Sequence, residues 1–173
     1  PVKEREESVV EAQSTSKSNS QRKKILVVDD SAVQLRMMKN LLHDQYEVSL
    51  VKSGKEAISY MNDLGVIIDV SHLSDGGFYD VAKLSKKPFV ASHSNCRALC
   101  PASRNLTDDM IRLLADCGGV AGINLEPSFL NADMTDSYRC VSVICDHIEH
   151  IVKVGGMEVV GLGSDWDGIG GNI

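Results

Sequence analysis

Val66-Ile-Ile-Asp-Val-Ser-His72 and Phe89-Val-Ala-Ser-His93 share one design, a short apolar run that ends abruptly in Ser-His. Nearly continuous apolar runs of this length suit strands of a sheet buried on both faces. Working outward, similar runs recur at Ile25-Leu-Val-Val28, Glu47-Val-Ser-Leu-Val51, Gly119-Val-Ala-Gly-Ile-Asn-Leu125 and Val159-Val-Gly-Leu162. The stretches between them have helical spacing. Leu35, Met38, Leu41 and Leu42 form one stripe, and Met110, Ile111 and Leu114 form another after a Thr107 cap with Asp108 and Asp109 in the first turn. Val141, Ile144, Ile148 and Ile151 form a third, stopped by Gly155-Gly156. Alternating strand and helix signals predict an α/β fold with one mostly parallel sheet of about six strands, flanking helices and right-handed crossovers. Six strands fall short of a closed eight-stranded barrel, which leaves an open doubly wound sheet or an incomplete TIM-like barrel.

The 173 residues suit one ordinary domain, or one domain plus a tail. A formal charge of −6 without a basic stripe excludes a nucleic-acid partner. No run approaches the roughly 18 apolar residues of a membrane span, so no membrane partner is expected. No signal peptide is visible, and a start at Pro1 rather than Met reads as a fragment. The five cysteines lack a C-x-x-C spacing, which predicts reduced thiols and a cytoplasmic location. Residues 1–22 mix Glu, Lys, Ser and Gln with almost no large apolar side chains and are expected to be a disordered linker.

Chemistry concentrates at the strand ends. If the strands before His72 and His93 are neighbours about 4.8 Å apart, their imidazoles can converge on one zinc with bonds near 2.1 Å. Taken singly, a strand-end histidine is more often a hydrogen-bonded structural residue. Asp29 and Asp30 end the first strand, where paired carboxylates either hold Mg²⁺ or cap the next helix. His147 and His150 read as a solvated helix face, and His43 as a cation at a helix C-terminus. Gly168-Ile-Gly-Gly171 lacks the preceding strand and following helix of a dinucleotide fingerprint.

Two family resemblances bear on these residues. From Met61 to Ile173 the chain resembles the second half of the membrane (renal) dipeptidase family, an amidohydrolase-type zinc peptidase. The resemblance runs through Met61-Asn-Asp-Leu-Gly65, Asp69-Val-Ser-His72, Ser92-His93-Ser94, Ser103-Arg-Asn-Leu-Thr-Asp108, Asp146-His-Ile-Glu-His150 and Gly163-Ser-Asp-Trp-Asp-Gly168. It implies that 62–173 is a (βα)4 half-barrel and that His72 and His93 are two ligands of a binuclear zinc site. Arg104 then grips the carboxylate of a dipeptide substrate and Asp165 accepts a proton from the attacking water; Asp167, two residues on, reads as a structural or turn residue. The family's His-x-Asp pair and metal-bridging Glu have no counterpart upstream of Met61. The expected site is therefore a single zinc held by two histidines and one carboxylate, in a segment that is weakly active or inactive.

Residues 23–61 resemble instead the first two βα units of a response-regulator receiver domain, through Lys24-Ile-Leu-Val-Val-Asp-Asp-Ser31 and Ser53-Gly-Lys-Glu-Ala57. That resemblance implies a phosphoaccepting signalling module with an Mg²⁺ pocket of Asp29 and Asp30 beside an acceptor Asp69, with Ser92 on the next strand and a histidine kinase as partner. Glu126-Pro127 stands where receivers carry Lys-Pro, which puts an anion where the phosphoryl group needs a cation. The change of identity falls at Ser59–Leu64, so a third reading is a fusion without evolved activity. An open sheet edge left by missing barrel strands favours self-association.

Overall fold

A computed structural model of the chain describes residues 22–131 and 140–167. The expected linker, apart from Arg22, and the Gly168–Gly171 run lie outside the described residues. In chain order the elements are β1 (Lys24–Val28), α1 (Ala32–Leu42), β2 (Glu47–Val51), α2 (Gly54–Leu64), α3 (Asp75–Leu84), β3 (Val90–Ala91), α4 (Asp108–Asp116), β4 (Val120–Asn124), α5 (Pro127–Leu130), α6 (Cys140–Gly155), a 3₁₀ turn (Met157–Val159) and β5 (Val160–Ser164). All strand pairs are parallel, as the alternation of signals requires. Among the described residues no helix is long and apolar enough to cross a membrane.

The strands form two sheets rather than the single sheet expected. β1 pairs with β2 from Lys24↔Glu47 to Val28↔Val51, while β3, β4 and β5 form the second sheet in that order. The 66–70 run contributes only a bridge, Asp69↔Val90, supported by Val70 N–H to the Val90 carbonyl at 2.8 Å and Val90 N–H to the Ile68 carbonyl at 2.9 Å. The division follows from burial. No residue of β1 or β2 is fully buried, and Val66 and Ile67, which begin the run, are exposed. The β1–β2 sheet packs on α2 instead of adding to the edge of the second sheet.

α2 spans the point where the two resemblances meet. Ser53 caps its first turn by accepting from Glu56 N–H, and Gly65 ends it in the left-handed conformation at φ 71°. Tyr60 Oη meets Ser49 Oγ of β2 at 2.5 Å. Two residues later, buried Asn62 donates to Ser85 Oγ and accepts from Lys86 N–H at 2.8 Å, beyond α3. The Ser59–Leu64 junction is thus the C-terminal half of one unbroken helix tied to both sides.

The main core lies in the second sheet and its helices. Met110, Ile111 and Leu114 present the predicted face of α4 to Ile151, Ala121 and Ile123, and Thr107 caps that helix by accepting from Met110 N–H. Phe78 and Phe89 meet edge to face with centroids 5.7 Å apart. Two glycines set the strand spacing behind the site. A Cβ at Gly122 or at Gly163 would collide with the Ser92 carbonyl oxygen, so β4 and β5 hold the Ser92–His93 backbone at a distance that only glycine allows.

Candidate metal and substrate site

Four of the predicted residues meet at the C-terminal ends of the strands. His72 follows the 66–70 run with φ 75°, and His93 follows β3. Their Nε2 atoms lie 2.9 Å apart and their ring centroids 4.9 Å apart. Asp165 follows β5, where it and Ser164 also take positive φ, 60° and 44°. Non-glycine residues in this region carry strain that surrounding packing must hold, and such strain gathers at functional sites. Asp165 Oδ2 sits 3.8 Å from His93 Nε2 and accepts a hydrogen bond from Asn124 Nδ2 at 3.1 Å.

Arg104 closes one side. Its Nη2 donates to the His93 carbonyl at 3.4 Å, and its guanidinium lies 5.7 Å from the centroid of the Phe129 ring. Burial lowers its pKa while Asp165 and Asp69 work in the other direction, so the cation sits near two carboxylates. It remains charged, as guanidinium does throughout the accessible pH range.

Behind His93 stands a hydrogen-bonded chain. Ser92 Oγ is 2.7 Å from His93 Nδ1 and donates to Asp69 Oδ2 at 2.5 Å. Asp69 Oδ1 accepts from the backbone N–H groups of Ser71 and Ser92, each at 3.0 Å. Burial works against the Asp69 charge, but the bonds from Ser92 and Ser71 and the nearby His93 prevail and hold its carboxyl below the ordinary value of 3.8.

Three buried asparagines were missed in the sequence reading. Asn95 binds both the N–H and the carbonyl of Asn124, Asn105 Nδ2 bonds the Cys100 and Phe129 carbonyls, and Asn124 reaches Asp165. Together they pin the loops after β3 and β4. A signal was present for Asn124, which ends its apolar run just as His72 and His93 follow theirs.

Two imidazoles beside a carboxylate are, in their chemistry, a donor set suited to a metal. Two imidazole nitrogens on one tetrahedral zinc at about 2.1 Å each stand roughly 3.4 Å apart, slightly wider than the pair here. Among the described residues no group of three or more His, Cys, Asp or Glu side chains is arranged to hold a metal ion. The expected three-donor arrangement with Asp165 is therefore not assembled. His72 and His93 are a two-donor pair with a carboxylate beside it.

Other expectations need correction. Asp29 and Asp30 do not join Asp69 and Ser92 in a receiver-like Mg²⁺ pocket. They follow β1 of the other sheet, where Asp29 Oδ1 accepts from Ser31 N–H at 2.8 Å at the start of α1. Asp69 and Ser92 are committed to His93 instead. Glu126 caps α5 by accepting from Ser128 N–H. His147 is not solvated but fully buried, accepting from Cys96 N–H at Nδ1 and meeting the Leu130 carbonyl at Nε2, 2.9 Å away. Burial leads the depression of its pKa below 6.5. His150 pairs with Asp108 at 2.7 Å and ties α6 to the start of α4.

The model of membrane dipeptidases, peptidase family M19, matches residues 29–173. The chain belongs to this family. The M19 match begins at Asp29 and runs through the Ser59–Leu64 junction, so it takes in most of the receiver-like stretch, and neither a receiver domain nor a fusion is supported. Membership implies a metal, zinc, as cofactor. An uncharacterized protein in the pqqA 5′ region of Klebsiella pneumoniae is 44% identical over 121 residues, 69% of this chain and 45% of the relative. Dipeptidase aclJ of Aspergillus oryzae is 37% identical over 120 residues, 69% of this chain and 28% of the relative. A metallo peptidase from Rhodobacter sphaeroides, solved with a phosphinate mimic of the dipeptide L-Ala-D-Ala, superposes with a TM-score of 0.63 at 35% identity, covering 72% of this chain and 36% of that one. The chain thus spans less than half the length of these relatives.

Proposed function

We propose that the chain carries one side of an M19 dipeptidase site, in which His72 and His93 hold zinc, Arg104 binds the carboxylate of a dipeptide and Asp165 takes up a proton as the peptide bond is broken. The observation that supports this most is the approach of all four to one sheet end, on strands whose backbone spacing is set by Gly122 and Gly163. Bound zinc would polarise the scissile carbonyl and activate water. Arg104 is suited to a carboxylate because its guanidinium is half-buried, lies near Phe129 and is anchored through the His93 carbonyl. Asp165 is held by Asn124 on the side of His93, close enough to exchange a proton with a group bound between them. The phosphinate mimic of a dipeptide held by the Rhodobacter sphaeroides relative supports a small dipeptide as the substrate class.

With no His-x-Asp pair or bridging Glu in 23–61, a second zinc has no cage in this chain. Hydrolysis by the 173-residue chain is therefore expected to be slow. Binding is the sharper test. A phosphinate dipeptide mimic should bind the zinc-loaded chain, and Arg104→Ala should weaken it by roughly 10- to 150-fold, the range for a lost hydrogen bond to a charged group. Equal affinity in the two proteins would refute the role of Arg104, and no binding by either would refute the site.

A further inference from the structure

The geometry points to a directional hydrogen-bond chain, Asp69–Ser92–His93, that fixes the ring proton of His93 on Nδ1 and so leaves Nε2 with a free lone pair. We infer further that His72 is of the opposite tautomer without metal, and that zinc binding moves its ring proton from Nε2 to Nδ1. This deepens the dipeptidase reading and rests on it for the identity of the metal, but the tautomers themselves do not.

Proton counting gives the direction. Asp69 Oδ1 already accepts two backbone N–H groups, so the carboxylate faces Ser92 as an acceptor at Oδ2. Ser92 has one hydroxyl proton and spends it on Asp69. The 2.7 Å contact between Ser92 Oγ and His93 Nδ1 then needs its proton from the imidazole. With Nδ1 protonated, neutral His93 presents a bare Nε2, and the 2.9 Å contact to His72 Nε2 requires His72 to donate. His72 Nδ1 makes no hydrogen bond among the described residues. Among the described residues only His93 hydrogen-bonds the His72 ring, at Nε2. A metal that takes both Nε2 lone pairs displaces that proton and one is gained at Nδ1, with no net change in charge. Ligand histidines oriented by a partner on the other ring nitrogen follow the same logic. Here the partner is a serine, itself polarised by a carboxylate.

The chain can be run backwards without changing its shape. In Asp69→Asn the two backbone N–H groups keep the amide oxygen at the Oδ1 position, which places the NH₂ toward Ser92. The amide then donates to Ser92, Ser92 donates to His93 Nδ1, and the His93 proton is forced to Nε2. Long-range ¹H–¹⁵N NMR of the histidine rings in the metal-free full chain reads this directly. Wild type should show His93 as Nδ1–H and His72 as Nε2–H. Asp69→Asn should show His93 as Nε2–H, Ser92→Ala should lose the fixed Nδ1–H form, and Ser92→Thr should keep it. Zinc affinity should fall roughly 10- to 100-fold in Asp69→Asn and Ser92→Ala, the usual cost of losing such a partner, with unchanged circular dichroism. Addition of zinc to the wild type should convert His72 to Nδ1–H and leave His93 as it was. A wild-type His93 with its proton on Nε2, or an Nδ1–H that persists in Asp69→Asn, overturns the proposal. The stated tautomers in a chain that binds no zinc would support the hydrogen-bond chain and refute the dipeptidase reading alone.

Discussion

Replacing Gly163 by alanine tests whether strand spacing builds the site. The new Cβ would collide with the Ser92 carbonyl oxygen and would lie 3.0 Å from His93 Cα, so the strain falls on backbone and cannot be relieved by rotating a side chain. Overpacking of this kind costs about 1–3 kcal/mol. In a domain of this size that corresponds to a fall in Tm of roughly 2–12 °C. The displaced segment carries His93, so zinc affinity should fall with stability. Gly54→Ala is the matched control. A Cβ there meets nothing within 4 Å, at the first position of α2, and the smaller entropy of the unfolded chain should stabilise by about 0.4–1 kcal/mol. Differential scanning fluorimetry with zinc binding on both variants decides the point. A Gly163→Ala protein that melts and binds zinc like Gly54→Ala would refute the claim that β5 presses against the Ser92–His93 backbone.

Two further outcomes are expected. His147 is buried neutral with its pKa depressed below 6.5, so its stabilisation is full above about pH 6.5 and is lost as pH falls toward the folded value; melts near pH 7.5 and pH 5.5 should show a larger drop in Tm for the wild type than for His147→Gln, and equal drops would contradict the assignment. β5 is an edge strand with Leu162 82% exposed on it, so the chain should self-associate; size-exclusion chromatography with light scattering should show a concentration-dependent dimer that Leu162→Lys disperses, and a monomer at all concentrations would contradict it.

The features legible in the sequence were those set by local pattern. Thr107 announced a helix start, Met110, Ile111 and Leu114 announced a buried face, and apolar runs ending in Ser-His placed His72 and His93 where they face one another. Which strands share a sheet depends on partners distant in sequence. Hence the 66–70 run looked like a full strand although it pairs only at Asp69↔Val90. The receiver-like reading of Asp29, Asp30, Asp69 and Ser92 failed for the same reason. A carboxylate at a strand end is common to many βα units, and only topology separates those that meet from those that do not. His147 was readable in retrospect, since it lies between Ile144 and Ile151 at helical spacing. Its burial is tolerated because Cys96 N–H and the Leu130 carbonyl, both remote in sequence, satisfy its two ring nitrogens. The roles of Asn95 and Asn105 were not readable in the same way, because their work is to bond backbone groups of other loops.

The site itself rests on the convergence of His72 and His93. Metal analysis of the purified chain beside its His72→Ala and His93→Ala variants tests that most directly. The expected result is about one zinc per wild-type chain, lost from both variants while their circular dichroism is unchanged; an undiminished zinc content in both variants would contradict it.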